Sequence, residues 1–241
     1  MPEIDGKTKL LCVIGDPIEH SQSPRIHNAL AEQADLNYVY TAFRVTIETL
    51  PEFIEAAKTL PIAGFNVTMP LKSAVLPFLH SLDPIAEKCG AVNTVVNTDG
   101  KLTGYNTDGE GFIASIEGKA YKAPLILGTG GAAKAISAAF SSIGIDAIPV
   151  SVRNSWAELP KYAAQADIIV NATSLGMHGN EQFQNFDWLK ETNACVYDIV
   201  YNPIETELLI AAKANGLKTI GGLELLQQQA EIAFKKFTDQ K

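Results

Sequence analysis

Pro124-Leu-Ile-Leu-Gly128-Thr-Gly130-Gly131-Ala-Ala133 is the stretch that decides the fold. Its short apolar run reads as a buried strand, and the alanine-rich Ala132–Phe140 behind the glycines reads as a helix. A glycine-rich turn between a strand and a helix is the context that a dinucleotide fingerprint requires. Gly128 permits the tight turn, and Gly130 lets a pyrophosphate come close to the backbone. The helix from Gly131 points free N–H groups and its positive dipole end at the phosphates. The spacing is G-x-G-G-x-x-x-A, a variant of the fingerprint with Ala135 at the helix-packing position. A turn of this kind that binds nothing is the plainer reading of the glycines alone.

The next apolar run, Ala147–Val152, ends in Arg153-Asn154-Ser155 and carries no acid. A site that prefers NAD places Asp or Glu there, to accept from the ribose 2′-hydroxyl. Arg153 stands where a guanidinium pairs with a 2′-phosphate, although alone it is also an ordinary strand-end charge. NADP is therefore favoured over NAD. Asp167–Val170 and Cys195–Ile199 are further strands with helices between them, which implies a parallel sheet.

The first half reads differently. Lys9–Gly15 is a strand ending on glycine, followed by a helix with Ser23 as N-cap and Pro24 at its first position. Tyr38–Val45 and Ile62–Thr68 are strands, and Thr49–Leu60 is a helix between them. Val92–Val96 and Lys101–Tyr105 flank Asp99-Gly100 and read as a hairpin, so this half carries a mixed sheet. The fold class is α/β in two domains. A mixed-sheet domain covers residues 1–106. A Rossmann-like domain covers residues 107–221, the boundary falling where Gly104, Gly109 and Gly111 cluster.

Composition narrows the class. Of 241 residues 46% are hydrophobic, which excludes a disordered chain. The formal net charge of −8 argues against a nucleic-acid footprint, yet leaves room for an anionic small molecule in one positive pocket. Three scattered cysteines, Cys12, Cys89 and Cys195, make neither a disulfide framework nor a zinc site. MPEIDGKTK has no apolar core of a signal peptide, and no apolar run reaches membrane-spanning length. The expectation is a cytoplasmic globular protein, monomer or homodimer, without a metal. His20, His27, His80 and His178 show no ligand spacing and read as structural.

Four polar segments end apolar runs. They are Gly15–Pro24, with Ser21 and Ser23; Phe65–Lys72, with Asn66 and Thr68; Gly90–Thr94, with Asn93; and Gly104–Gly109, with Asp108. Ligands of α/β sheets collect at the strands' carboxyl ends, so hydroxyl, amide, ammonium and carboxylate groups would face one crevice. Such a set suits a small polyhydroxylated carboxylate. Singly each has a plain reading. Ser23 caps a helix, Lys72 is a solvated lysine, Asp108 is a turn residue, and the asparagines satisfy strand ends.

Together these segments resemble the shikimate dehydrogenase family. The resemblance lies in G-D-P-I-x-H-S-x-S-P-x-x-H-N (Gly15–Asn28), F-N-V-T-x-P-x-K (Phe65–Lys72), G-A-V-N-T (Gly90–Thr94) and Y-N-T-D-G-x-G-F (Tyr105–Phe112). G-T-G-G-A-A-x-A-I, Asn171–Gly176, Tyr197–Tyr201 and Gln229-Ala230 extend it over nearly the whole chain. It implies the reversible NADPH-linked reduction of 3-dehydroshikimate to shikimate, in chorismate and aromatic amino-acid biosynthesis. By similarity, Ser21, Ser23, Thr68 and Tyr201 would hold the substrate carboxylate. Asn66, Asn93, Asp108 and Gln229 would bind the ring beside Lys72, and Lys72 with Asp108 would be the catalytic pair; residues 1–106 would then be the substrate domain, and Gln229 would bring the last helix, 222–241, back onto it. Gly128, Thr129, Gly130, Gly131, Ala132 and Thr173 would hold NADP. Arg153 and Asn154 would meet the 2′-phosphate, and Ile199 and Gly222 would line the nicotinamide side.

Hydride delivery to a ketone builds negative charge on its oxygen, so an ammonium placed there lowers the barrier, and a neighbouring carboxylate keeps that ammonium oriented. The chain also departs from the family pattern. Ser155–Leu159 contains no Lys or Arg, which predicts softer coenzyme discrimination. A quinate/shikimate dehydrogenase using NAD or NADP shares most of these motifs, though two small serines lean towards shikimate. A silent NADP-binding sensor of the same fold would have no need of Lys72, Asp108 and both serines.

Overall fold

The computed structural model describes residues 4–151 and 156–239. The chain forms two compact units. The first comprises Met1–Glu110 and Gln229–Lys241, and the second Gly111–Gln228.

Unit 1 contains β1 (Lys9–Gly15), α1 (Ser23–Gln33), β2 (Tyr38–Arg44), α2 (Leu50–Thr59), β3 (Ile62–Val67), β4 (Ser81–Leu82), α3 (Pro84–Cys89), β5 (Thr94–Thr98), β6 (Lys101–Tyr105) and the start of α4 (Thr107–Ser115). The sheet order is β2-β1-β3-β5-β6-β4. β1 pairs parallel with β2 and β3, whereas β5 runs antiparallel to both β3 and β6. Helical crossovers enforce the parallel pairs, and the Asp99-Gly100 turn enforces the reversal. Asp99 and Gly100 sit at φ +51° and +81°, as a two-residue hairpin turn requires. The mixed sheet expected from the sequence is present.

Both faces of β1 are covered, which explains its unbroken apolar run. Leu11 and Val13 pack with Ala31 of α1 and with Ala233, Phe234 and Phe237 of the C-terminal helix, Gly222–Thr238. Cys12 and Ile14 face Leu50, Ile54 and Ala57 on the other side. A Cβ on Gly64 would lie 2.5 Å from the Phe237 ring, so bare backbone is what lets that ring rest on the sheet.

Two local expectations are adjusted. α1 begins at Ser23, so its cap position is Gln22, whose side chain makes no capping bond. Ser21 Oγ instead accepts from the Ser23 N–H at 3.3 Å, because a turn from Ile18 brings Ser21 beneath the helix start. β5 starts at Thr94 rather than Val92, since the Val92 N–H is spent on Lys72 O, outside the ladder. β4 and the 3₁₀ turn Leu76–Phe78 are too short to leave a periodic signal.

Unit 2 contains β7 (Pro124–Leu127), α5 (Gly131–Ser142), β8 (Ile148–Val150), α6 (Leu159–Ala163), β9 (Ile168–Asn171), β10 (Cys195–Asp198), α7 (Glu207–Ala214) and β11 (Thr219–Ile220). Its sheet, in the order β11-β10-β9-β7-β8, is parallel throughout. Leu125, Leu127, Ile169 and Val196 face Trp188, Leu208 and Leu209. Ile126, Val170 and Tyr197 face Phe112, Ile136 and Phe140. Arg153 and Asn154 lie outside the described residues.

Each sheet has a point where strand order reverses, and ligands of α/β sheets bind there. In unit 1 the chain leaves β1 towards β2 and returns to β3 on the other side. In unit 2 it leaves β7 towards β8 and returns to β9.

Candidate active site

In unit 1 the reversal brings the loops after β1 and β3 together. Thr68 N donates to Ile14 O at 2.9 Å and Asp16 N to Met69 O at 3.1 Å. A Cβ on Gly15 would overlap Thr68 Cγ2, so glycine is what allows the two loops to touch. The antiparallel β5 begins at this same edge, and β6 ends there, with Asn66 opposite Thr94 and Thr94 opposite Tyr105. The four polar segments therefore reach one edge of one sheet.

Lys72 Nζ lies 2.6 Å from Asp108 Oδ2. Their side chains are 28% and 14% exposed, shielded enough to hold their geometry yet open to a ligand. The other Asp108 oxygen, Oδ1, accepts from Asn93 Nδ2 at 2.7 Å. Asp108 stands in the first turn of α4, where a carboxylate is favoured, and its N–H donates to Asn106 Oδ1 at 3.1 Å. Asn106 is fixed in turn by Ala91 O at 3.0 Å. Each carboxylate oxygen has a partner, so the ammonium is aimed rather than merely attracted.

Behind this pair lies a buried polar network. Asn93 Oδ1 accepts from Thr107 N at 2.8 Å and from Thr94 Oγ1 at 3.0 Å, and its second amide hydrogen goes to Thr107 Oγ1 at 3.1 Å. Asn66 Nδ2 donates to Asn93 O and Thr94 Oγ1, both at 3.0 Å. Asn66 Oδ1 accepts from the Tyr40 hydroxyl at 2.6 Å, and burial holds that phenol well above its usual pKa. Both amide hydrogens of Asn66 and of Asn93 are thus consumed inside the unit. Gln229 reaches the network through Thr107 Oγ1, at 3.5 Å from its Oε1. Ser21, Ser23 and Thr68 are half-buried on the adjoining loops. Tyr40 lies in no motif that marks it, while Thr94 and Thr107 sit inside motifs whose neighbours Asn93 and Asp108 drew the functional reading.

His27 is buried, its ring stacked on Tyr40 at 4.2 Å between centroids, and neither ring nitrogen has a hydrogen-bond partner. Among the described residues no cluster of His, Cys, Asp or Glu could hold a metal ion.

In unit 2 the glycine loop leaves β7 at the reversal. Gly128 has φ +122°, and a Cβ there would stand 3.0 Å from Ala172 O and 3.1 Å from Thr173 Cγ2. Its N–H donates to Val150 O at 2.8 Å, so the turn is held from both neighbouring strands. A Cβ on Gly130 would meet nothing within 4 Å, which leaves open space over the loop backbone. α5 starts at Gly131 with no side-chain cap and no acid in its first turn, and Ala132 is half-buried there. A cavity of about 520 Å³ is lined by Gly128, Thr129, Ser151, Thr173, Leu175 and Glu181 among others. A glycine loop with open backbone, running into a helix whose first turn holds no acidic side chain, fits a dinucleotide phosphate. Ile199 and Tyr201, both half-buried, follow β10. A Cβ on Gly222 would overlap the Ile199 carbonyl, which accounts for the glycine.

Comparison with known proteins agrees with this geometry. The family model described as the shikimate dehydrogenase substrate binding domain matches residues 13–95. The shikimate dehydrogenase (NADP(+)) of Desulforamulus reducens is 38% identical, over 98% of this chain and 91% of that protein. The shikimate 5-dehydrogenase of Thermus thermophilus, solved with NADP(H) and shikimate, superposes with a TM-score of 0.86 at 31% identity, covering 97% of this chain and 94% of that one. The Listeria monocytogenes shikimate 5-dehydrogenase, solved with shikimate and NAD, gives 0.85 at 32% identity, covering 100% and 95%. Likeness of this extent, in sequence and in fold, places the chain in the shikimate dehydrogenase family.

Proposed function

We propose that the protein catalyses the reversible NADPH-dependent reduction of 3-dehydroshikimate to shikimate, a step of chorismate and aromatic amino-acid biosynthesis. The observation that carries the chemistry is the Lys72–Asp108 pair at 2.6 Å, with the second carboxylate oxygen fixed by Asn93. The bound coenzyme supplies a hydride. Lys72 gives its proton to the substrate oxygen as negative charge develops there, and takes it back in the reverse direction. Asp108 orients the ammonium and accepts from a substrate hydroxyl.

Ser21, Ser23 and Thr68 would hold the substrate carboxylate together with Tyr201. Gln229 would bind a ring hydroxyl. Asn66 and Asn93 would bind the substrate ring, and Asn93 also fixes Asp108 through its Nδ2 bond at 2.7 Å. The substrate-binding domain would be residues 1–106 with the segment 222–241, and the NADP domain residues 107–221. Gly128, Thr129, Gly130, Gly131, Ala132 and Thr173 would hold the pyrophosphate, and Arg153 and Asn154 the 2′-phosphate. Ile199 and Gly222 would border the nicotinamide. The enzyme would act in the cytoplasm as a monomer or homodimer. Cys12, Cys89 and Cys195 are buried and form no disulfide, which supports a reducing compartment, and no helix among the described residues is long and apolar enough to cross a membrane.

The test is absorbance at 340 nm with shikimate or quinate, each paired with NADP⁺ or NAD⁺. Shikimate with NADP⁺ should turn over fastest, and Lys72→Ala should lower kcat by about a hundredfold or more. An unchanged kcat removes Lys72 from the mechanism. NADPH binding without turnover of any pair favours the silent sensor.

A further inference from the structure

We propose that Asp198 is a positioning residue for the dinucleotide site: its carboxylate ties the exit of β9, which carries one wall of the cofactor cavity, to the exit of β10, which carries Ile199 and Tyr201. The proposal rests on the NADP reading above and deepens it.

Asp198 is fully buried. Its Oδ1 accepts from Asn171 Nδ2 at 2.9 Å and from the Val200 N–H at 3.0 Å, and its Oδ2 accepts from Thr206 Oγ1 at 2.6 Å. All three partners donate, so the group is matched as an acceptor-only carboxylate. Burial raises its pKa, and the Thr206, Val200 and Asn171 bonds pull the other way.

Two of the three bonds lead towards the cofactor. Asn171, also fully buried, accepts at Oδ1 from Thr173 N at 3.1 Å and Thr173 Oγ1 at 2.6 Å. Its Nδ2 also reaches Leu175 O at 3.2 Å, and Leu175 N donates to Thr173 Oγ1 at 3.1 Å. Thr173 and Leu175 line the cavity. The bond to Val200 N fixes the Ile199–Val200 peptide, just before Tyr201, on the segment that Gly222 backs. The third bond leads elsewhere. Thr206 caps α7, accepting from Leu209 N at 3.3 Å, and so anchors the carboxylate to a helix rather than to the cavity. Without the carboxylate, three buried donors lose their acceptor at once and both strand exits are released.

This asymmetry gives the test. NADPH dissociation constants are measured on the full-length protein by coenzyme fluorescence, and Tm by circular dichroism. Asp198→Ala and Asn171→Ala should each raise the NADPH Kd about tenfold, the equivalent of one lost hydrogen bond's positioning. Shikimate affinity of Asn171→Ala, measured by calorimetry, should stay within about twofold. Asp198→Asn keeps an oxygen for Asn171 and Val200 and should recover most of the binding. Thr206→Val should lower Tm and leave the Kd within about twofold. If Asp198→Ala does not fold, the contrast between Asn171→Ala and Thr206→Val carries the decision. Unchanged NADPH binding in Asn171→Ala, or an equal loss in Thr206→Val, overturns the proposal while wild-type binding upholds the cofactor reading. A wild-type protein that binds no NADPH overturns both.

Discussion

His27 should make unit 1 less stable in acid. It is 1% exposed, sealed between Tyr40 of β2 and Phe234 and Phe237 of the C-terminal helix, with no hydrogen-bond partner on either nitrogen. Burial drives its pKa down from 6.5 to about 3. The unfolded chain takes up a proton below 6.5, whereas the folded one refuses it until about pH 3. Stability is therefore full above neutrality and falls by about 1.4 kcal/mol per pH unit within that window. At pH 5 the loss is about 2 kcal/mol relative to pH 8, a figure that needs only a folded pKa well below 5. The perturbation is His27→Leu, which keeps the volume and cannot charge. Both tryptophans, Trp156 and Trp188, lie in unit 2, so indole fluorescence does not report on this site. Urea unfolding at pH 8 and pH 5 is followed instead by circular dichroism, with hydrogen exchange over β1 and α1. The readout is the difference between the two pH values, so any packing cost of leucine cancels. The wild type should lose about 2 kcal/mol more than the variant. Parallel losses in the two proteins refute the reasoning.

Three further outcomes are expected. Asp108→Asn keeps a partner for Asn93 but loses the charge beside Lys72; in steady state kcat should fall by about a hundredfold while shikimate KM changes by no more than about threefold. Gly128→Ala meets both a left-handed φ and the Ala172 carbonyl, so unit 2 should lose about 1–3 kcal/mol by tryptophan-monitored unfolding, together with NADPH binding. Tyr40→Phe orphans Asn66 Oδ1 in a buried network, which should cost about 1–3 kcal/mol in circular-dichroism melts; a variant as stable as wild type would show that the network tolerates the gap.

The sequence was most readable where chemistry and backbone demand coincide. Gly128 is required by φ and by Ala172, Gly15 by Thr68, and Asp99-Gly100 by the turn, so composition alone marks those points. Singly, Lys72 reads as a solvated lysine and Asp108 as a turn residue; their pairing was legible only through the motifs that carry the family resemblance. Tyr40 was not. Two residues earlier Tyr38 looks the same in the pattern, yet it packs edge-on against Phe234 while Tyr40 holds Asn66. The distinction depends on which strand lies alongside, and no local window contains that. Asp198 was hidden in the same way, since its three donors come from β9, its own loop and the cap of α7.

The C-terminal helix has a consequence for synthesis. Unit 2 is one continuous stretch, Gly111–Gln228, inserted between the two segments of unit 1, whose sheet needs Ala233, Phe234 and Phe237 to complete the cover of one face. On the ribosome the usual order is thereby inverted: the domain begun first is finished last. A nascent chain ending at Gln228 carries every residue of unit 2, while Leu11 and Val13 still lack part of their cover. Such a chain should show protected exchange in β7, β9 and β10 and open exchange in β1, leaving the uncovered sheet for chaperones to shield until the last helix emerges.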